Sequence, residues 1–283
     1  MKTALITGAS DGIGEQAARI LAGKGWQVAI IGRNPEKTRK VAQELGALYY
    51  IADFSRLSEV RTLAAQLLRD FARIDLLANN AGGIFSKQPL TGDGYEITFQ
   101  VNHLAHFLLT QLLLERLTVS NAMVINTSSA AHRFPGRGFD PADVVRPKRY
   151  SQYRAYGSAK LANILFTSEL NRRYGSQGLS AAAFHPGIVA TSFAKNIRSP
   201  MRLAYHTALS RLLGMKSPEE GAATLVWLAE GLPGKDWQPG GYFVDSRTAN
   251  PSKRAQDDEL AGKLWDMSAM LCQAPQETEQ ADG

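Results

Sequence analysis

The chain has 283 residues, 44% of them hydrophobic and 20% charged, with a formal charge of +6, which suits one large α/β domain. Its single cysteine, Cys272, excludes a disulfide framework and a cysteine-based zinc site. No apolar run reaches the length of a membrane span, nothing basic and aromatic alternates as in nucleic-acid binders, and no signal-peptide pattern opens the chain, so a cytoplasmic protein is expected.

Residues 3–7 read as a short buried strand that runs into Gly8-Ala9-Ser10-Asp11-Gly12-Ile13-Gly14. A helix follows, with Ile13, Ala17, Ala18, Ile20 and Leu21 on its inner side. A turn without Cβ atoms at a helix N-terminus lets backbone N–H groups approach a pyrophosphate, so this turn reads as a nucleotide cradle. Residues 26–31 form the second strand and end at Gly32-Arg33-Asn34, with Lys37 and Arg39 close behind. An NAD-binding domain usually carries an acid here for the ribose hydroxyls. A glycine and an arginine instead favour a 2′-phosphate, hence NADP(H) over NAD(H); the simple alternative is that the basic residues are a solvated helix start.

Residues 48–51 are a third strand followed by Asp53 and Phe54, and an amphipathic helix covers 57–71. The fourth strand, 74–77, runs into Asn79-Asn80-Ala81-Gly82-Gly83, at the strand end where doubly wound sheets bind ligands. One long helix is expected over 94–117. Asn102 sits in its middle, where asparagine is unfavourable; this suggests a polar task, a solvent-facing side chain being the simple alternative. His103 and His106 lack partners for a metal and read as packing or surface residues. The fifth strand, 123–127, ends at Ser128-Ser129, and the sixth, 179–184, runs into His185-Pro186-Gly187-Ile188 and Thr191. Residues 192–216 mix apolar and basic side chains and read as a substrate lid. Ser217-Pro218-Glu219-Glu220 carries a helix-start capping box, 241–244 supplies a seventh strand, and 273–283 is a polar tail expected to be disordered.

The chemistry centres on Tyr156-Gly157-Ser158-Ala159-Lys160. Tyrosine and lysine four apart share one helix face. A phenol near pKa ~10 needs about 4 kcal/mol of help from a neighbouring ammonium to drop three units, and such a pair can act as a general acid or base.

Thr7-Gly8-x-x-x-Gly12-Ile13-Gly14, Asn79-Asn80-Ala81-Gly82, Ser129, Tyr156-x-x-x-Lys160 and Pro186-Gly187 with Thr191 together resemble the short-chain dehydrogenase/reductase superfamily over residues 3–250. The helix bearing Asn102 and the long Ser-to-Tyr insertion look like its retinol dehydrogenase and WW-domain-oxidoreductase group. The resemblance implies a single-domain Rossmann fold over 1–272, with a seven-stranded parallel sheet and helices on both faces. It implies that Tyr156 passes a proton to or from the substrate oxygen and that Lys160 lowers the tyrosine's pKa and holds the nicotinamide ribose. Ser129 would hydrogen-bond the carbonyl and Asn102 would anchor a water chain. Ser129 is preferred as the second serine of its pair, although Ser128 is equally open from sequence. The coenzyme would lie on Gly8, Ser10, Asp11, Gly12, Ile13, Gly14 and Arg33, with Asp53 and Phe54 at the adenine. Asn80 would meet the adenosine ribose region beside Ala81 and Gly82, and Ile188 and Thr191 the carboxamide, next to Pro186 and Gly187. Asp11 departs from the family's NADP users, many of which have a basic residue there.

These residues imply an NADP(H)-dependent oxidoreductase with no metal, acting on an apolar, fairly bulky small-molecule ketone, aldehyde or alcohol. Ile84, Phe85, Phe134, Phe193, Met201 and Tyr205 flank the expected pocket. Competing readings are a catalytically silent NADP-binding redox sensor or scaffold, and a nucleotide-sugar epimerase, for which the stretch after Lys160 is short. Apolar faces on the helices around Asn102 and Lys160 could form a homodimer.

Overall fold

A computed structural model describes residues 1–85, 90–135, 145, 150–189 and 215–273. Its sheet comprises β1 (Thr3–Thr7), β2 (Gln27–Gly32), β3 (Leu48–Ile51), β4 (Leu76–Asn79), β5 (Met123–Thr127), β6 (Ser180–His185), β7 (Tyr242–Val244) and β8 (Arg247–Thr248). The order is β3-β2-β1-β4-β5-β6-β7-β8. Strands β1 to β7 pair in parallel, as expected. The eighth is an addition: β8 turns back antiparallel on β7. Asp245 and Ser246 make that reversal with φ of 51° and 56°, a conformation that short polar side chains tolerate.

The order reverses between β1 and β4, so the carboxyl ends of these strands open a crevice there. Successive strand residues point to opposite faces. Leu5, Ala29, Ile31, Leu77 and Val124 face one core with helices α3 (Leu57–Asp70), α5 (Ala105–Leu112) and α7 (Gln152–Tyr174). Ala4, Ile6, Val28, Ile30 and Ala78 face the other, with α1 (Gly12–Gly23), α2 (Pro35–Leu45) and α8 (Pro218–Glu230). The capping box opening α8 is formed: Ser217 Oγ accepts from Glu220 N at 3.1 Å, and Glu220 Oε2 accepts from Ser217 N at 2.6 Å.

The single helix expected over 94–117 is instead a broken run. It starts at α4 (Ile97–Phe99), where Glu96 accepts from the N–H groups of Thr98 and Phe99. It then widens into a π-helical turn over Gln100–Leu104 before α5, and resumes past Leu113 as α6 (Leu114–Val119). Such π-turns occur mostly as local bulges and often at functional sites.

One helix has no counterpart among the sequence expectations: α9 (Asp258–Gln273), which reaches the first residue of the supposed tail. Its Ala261, Leu264, Trp265, Ser268 and Cys272 are buried at helical spacing, a signal present in the sequence. The Trp265 ring packs 5.1 Å from Phe107 and 5.8 Å from Phe166, and Arg173 lies 4.7 Å over it. Thus α9 covers part of the α5/α7 face offered above to a second copy. Trp265→Ala should destabilise the fold by about 3–5 kcal/mol, read as a lower midpoint in urea unfolding; an unchanged midpoint would mean that α9 docks without contributing.

Candidate active site

A cleft of about 670 Å³ runs along the strand ends from the glycine turn to α7. Gly8, Ser10, Asp11, Gly12 and Ile13 form one wall. Gly8 has φ +66°, and a Cβ on it would lie 2.8 Å from Ala81 Cα. Gly14 stands behind the turn, where a Cβ would lie 2.4 Å from Gly8 O. The cradle therefore tolerates only glycine at both points, and it presents the N-terminus of the twelve-residue α1 to the cleft. This is the geometry a pyrophosphate requires.

The Asn80–Gly83 loop is clamped at both ends. Thr7 Oγ1 accepts from Asn80 N at 2.9 Å and Ala81 N at 3.0 Å. The Asn80 side chain donates to Thr7 O at 3.0 Å and accepts from Thr127 Oγ1 at 3.2 Å. At the far end, Asn102 Nδ2 donates to Gly83 O at 2.9 Å and to Thr98 O at 2.8 Å, while Gly83 N donates to Asn102 Oδ1 at 3.2 Å. Asn102 is fully buried and faces inward from the π-turn, so the solvent-facing alternative is excluded. His106 bridges the two clamps, its Nδ1 3.2 Å from Asn102 O and its Nε2 3.2 Å from Thr7 Oγ1. Burial pushes the pKa of His106 down to about 3 and that of His103 to about 4, so both are neutral.

Tyr156, Lys160, Ser128 and Ser129 all line the opposite wall. Lys160 is buried, its Nζ 3.1 Å from Thr127 O and 5.5 Å from the centre of the Tyr156 ring. Burial alone lowers its pKa to about 7. The two serines differ. Ser128 is buried and its hydroxyl donates to Lys160 O at 2.8 Å. Ser129 Oγ accepts from Ala131 N at 3.2 Å, capping a short 3₁₀ turn, which leaves its own hydrogen for a ligand. Its carbonyl is held by His132, whose Nδ1 lies 2.7 Å away and whose Nε2 accepts from Ser252 N at 3.1 Å.

At the other end of the cleft stand Gly32, Arg33, Asn34 and Lys37. The anomalous Asp11 is met by Lys37, Nζ to Oδ2 at 2.9 Å. Asn34 Oδ1 caps α2 by accepting from Lys37 N at 2.9 Å, which places that lysine beside the glycine turn. Asp53 and Phe54 line the adjoining wall, with Asp53 Oδ1 accepting from Ser55 N at 3.0 Å.

Pro186, Gly187 and Ile188 line the cleft with the glycine turn, Arg33, Asp53, Phe54, Asn80, Ala81 and Gly82. Gly14 and Asn102 support it from behind. Ile84 and Phe85 line it, whereas Phe134 is 73% exposed and does not. Thr191, Phe193, Met201 and Tyr205, the lid call over 192–216 and the remainder of the tail lie outside the described residues. The clamping role of Thr7, the parts of Thr127 and Asn163, and the pairing of Lys37 with Asp11 were not anticipated. Thr7, Thr127 and Asn163 act through backbone groups, and such partners leave no spacing to read. Among the described residues no group of acids, histidines or cysteines could hold a metal, and no helix is long and apolar enough to cross a membrane.

Comparison with known proteins agrees with this geometry. A family model described as short chain dehydrogenase matches residues 2–141. A candidate daunorubicin C-13 ketoreductase, DnrU, from Streptomyces sp. (strain C5) is 40% identical, covering 95% of this chain and 91% of that protein. Human retinol dehydrogenase 12 is 38% identical, covering 95% and 86%. A candidate short-chain dehydrogenase from Shigella flexneri, solved in complex with NADP, superposes with a TM-score of 0.62 at 26% identity, covering 81% of this chain and 90% of that one. The chain belongs to the short-chain dehydrogenase/reductase superfamily, in its retinol dehydrogenase-like group, and is an oxidoreductase that moves a hydride between a nicotinamide coenzyme and an alcohol or carbonyl.

Proposed function

We propose that this protein interconverts an apolar ketone or aldehyde and its alcohol with NADP(H), Tyr156 being the general acid and base. The observation that carries this is the meeting of Tyr156, Lys160 and a free-handed Ser129 hydroxyl at one end of a glycine-lined cleft. The nicotinamide supplies or takes up the hydride; the protein's part is orientation and proton transfer. Ser129 donates its remaining hydrogen to the carbonyl oxygen and fixes its direction. Tyr156 then delivers the phenolic proton to that oxygen, or removes it in the reverse direction. Lys160, whose ammonium form favours phenolate, stands beside the ring, and its other N–H groups would hold the coenzyme ribose. Asn102 holds Gly83 and with it the loop under the coenzyme, and the water chain implied by resemblance would start from its remaining lone pairs.

The preference for NADP(H) is supported by Arg33 and Lys37 in place of an acid at the end of β2. An apolar substrate is supported by Ile84, Phe85, Val101 and Ile188 along the cleft and by relatives named for a ketone and for retinol. The test is a panel of aliphatic and polycyclic ketones and aldehydes, scored by oxidation of NADPH and of NADH. Turnover of at least one bulky apolar carbonyl, faster with NADPH, is expected. No turnover of any member with either coenzyme would sink the reading.

A further inference from the structure

A buried chain of hydrogen bonds joins the last helix to Lys160. Thr127 O, which accepts from Lys160 Nζ at 3.1 Å, also accepts from Asn163 Nδ2 at 3.0 Å. Asn163 Oδ1 lies 3.3 Å from His103 Nδ1, and His103 Nε2 lies 3.0 Å from Ser268 Oγ on α9. The proton positions follow from valence. A carbonyl can only accept, so Asn163 must turn its NH₂ to Thr127 and its oxygen to His103. His103 Nδ1 then carries the hydrogen, and Nε2 of the neutral ring accepts from the Ser268 hydroxyl. Every donor points the same way, from α9 toward the oxygen that holds the lysine, and bonds aligned in this manner polarise one another.

Asn163 is 3% exposed, and His103 and Ser268 are completely buried in an apolar setting. The rings of Phe99, Phe107 and Phe166 surround His103 at 5.0, 6.2 and 5.9 Å. Apolar side chains would fill these positions without the desolvation that three polar groups incur. Stability therefore gives no reason for the chain, whereas the Thr127 carbonyl does: two donors in fixed directions hold it against Lys160.

We propose that Asn163, His103 and Ser268 are positioning residues for Lys160, aiming the Thr127 carbonyl so that α9, remote in sequence, forms part of the active site. This rests on Lys160 being the partner of Tyr156 and of the coenzyme. The other titratable groups facing Lys160 are Tyr156 on its own helix and His106 across the cleft floor. Among the described residues no carboxylate forms an ion pair with it.

The test is NADPH binding to the full chain, followed by fluorescence between about pH 5.5 and 9.5, with thermal melting in parallel. Wild-type affinity should fall as Lys160 loses its proton, and Lys160→Met should abolish that fall. Asn163→Asp sets a carboxylate beside the ammonium and should move the midpoint up by about one pH unit or more. His103→Phe fits the aromatic surroundings, so melting should hold or rise while NADPH affinity below the midpoint drops about threefold to tenfold. If Lys160→Met flattens the profile but Asn163→Asp and His103→Phe leave midpoint and affinity at wild-type values, the positioning role is overturned and the role of Lys160 stands. If Lys160→Met leaves the profile unchanged, Lys160 itself was misread and the proposal falls with it. Should Asn163→Asp not fold, His103→Phe decides alone.

Discussion

Tyr156→Phe is expected to bind NADPH as the wild type does while losing turnover by about 10²–10⁴. The substitution removes one oxygen and its proton and leaves the ring that packs beside Lys160, 5.5 Å from Nζ. The neighbouring groups are poor substitutes: Ser128 spends its hydrogen on Lys160 O, His106 and His132 are tied to backbone groups, and His185, which lines the cleft, is held neutral by burial, its pKa lowered to about 4. Ser129 has a hydrogen to share, but its hydroxyl is too weak an acid to protonate an alkoxide unaided. The measurement pairs a fluorescence titration with steady-state NADPH oxidation on a carbonyl found by the panel. A variant that keeps its turnover within a factor of about ten would remove Tyr156 from the chemistry.

Replacing Arg33 by Leu and Lys37 by Met together should cut the preference for NADPH over NADH by roughly ten to a few hundredfold, because each charge-assisted bond to a phosphate is worth about 1.5–3 kcal/mol. Binding of NADH should hardly change. An acid introduced at Gly32, the obvious way to mimic an NAD enzyme, is blocked: a Cβ there would lie 2.4 Å from Thr38 Oγ1 and 3.0 Å from Ser10 Cβ. Asp11 should not cancel the expected preference, since its bond to Lys37 is half exposed and worth about 0–1 kcal/mol. A dianionic phosphate can draw the lysine away. Affinities of both coenzymes for wild type and the double variant decide the matter. A wild type that prefers NADH, or an unmoved ratio in the variant, would mean that this corner does not read the phosphate.

Much of the fold was legible because strand ends carry punctuation. Gly8 to Gly14, Asn79 to Gly83, Ser128-Ser129 and His185 to Gly187 each mark a parallel strand running into a turn at the same edge of the sheet, and all four meet at the cleft. The break in the Asn102 helix was not legible, because a single π-turn shifts the hydrogen bonds of five residues inside an otherwise apolar helical run and no residue type marks it. The choice between Ser128 and Ser129 needed the carbonyl of Lys160, a partner 32 positions away that any residue would provide. The last helix shows the opposite failure: its pattern was present, but no motif drew attention to it. Asp11 was read as an isolated oddity, and only the turn of α2 brings Lys37 to it.

The place of α9 in chain order has a consequence for how the protein is made. Residues 258–273 leave the ribosome after every strand of the sheet has been synthesised. Until then the faces of Phe107 and Phe166 that meet Trp265 have no cover, and His103 lacks the hydroxyl it accepts from. A nascent chain can assemble the glycine turn and the β1–β4 crevice early, since both lie within the first 79 residues. The floor beneath Lys160 is completed last, so the interval before α9 docks is when the growing protein exposes its aromatic core to chaperones and to neighbouring chains.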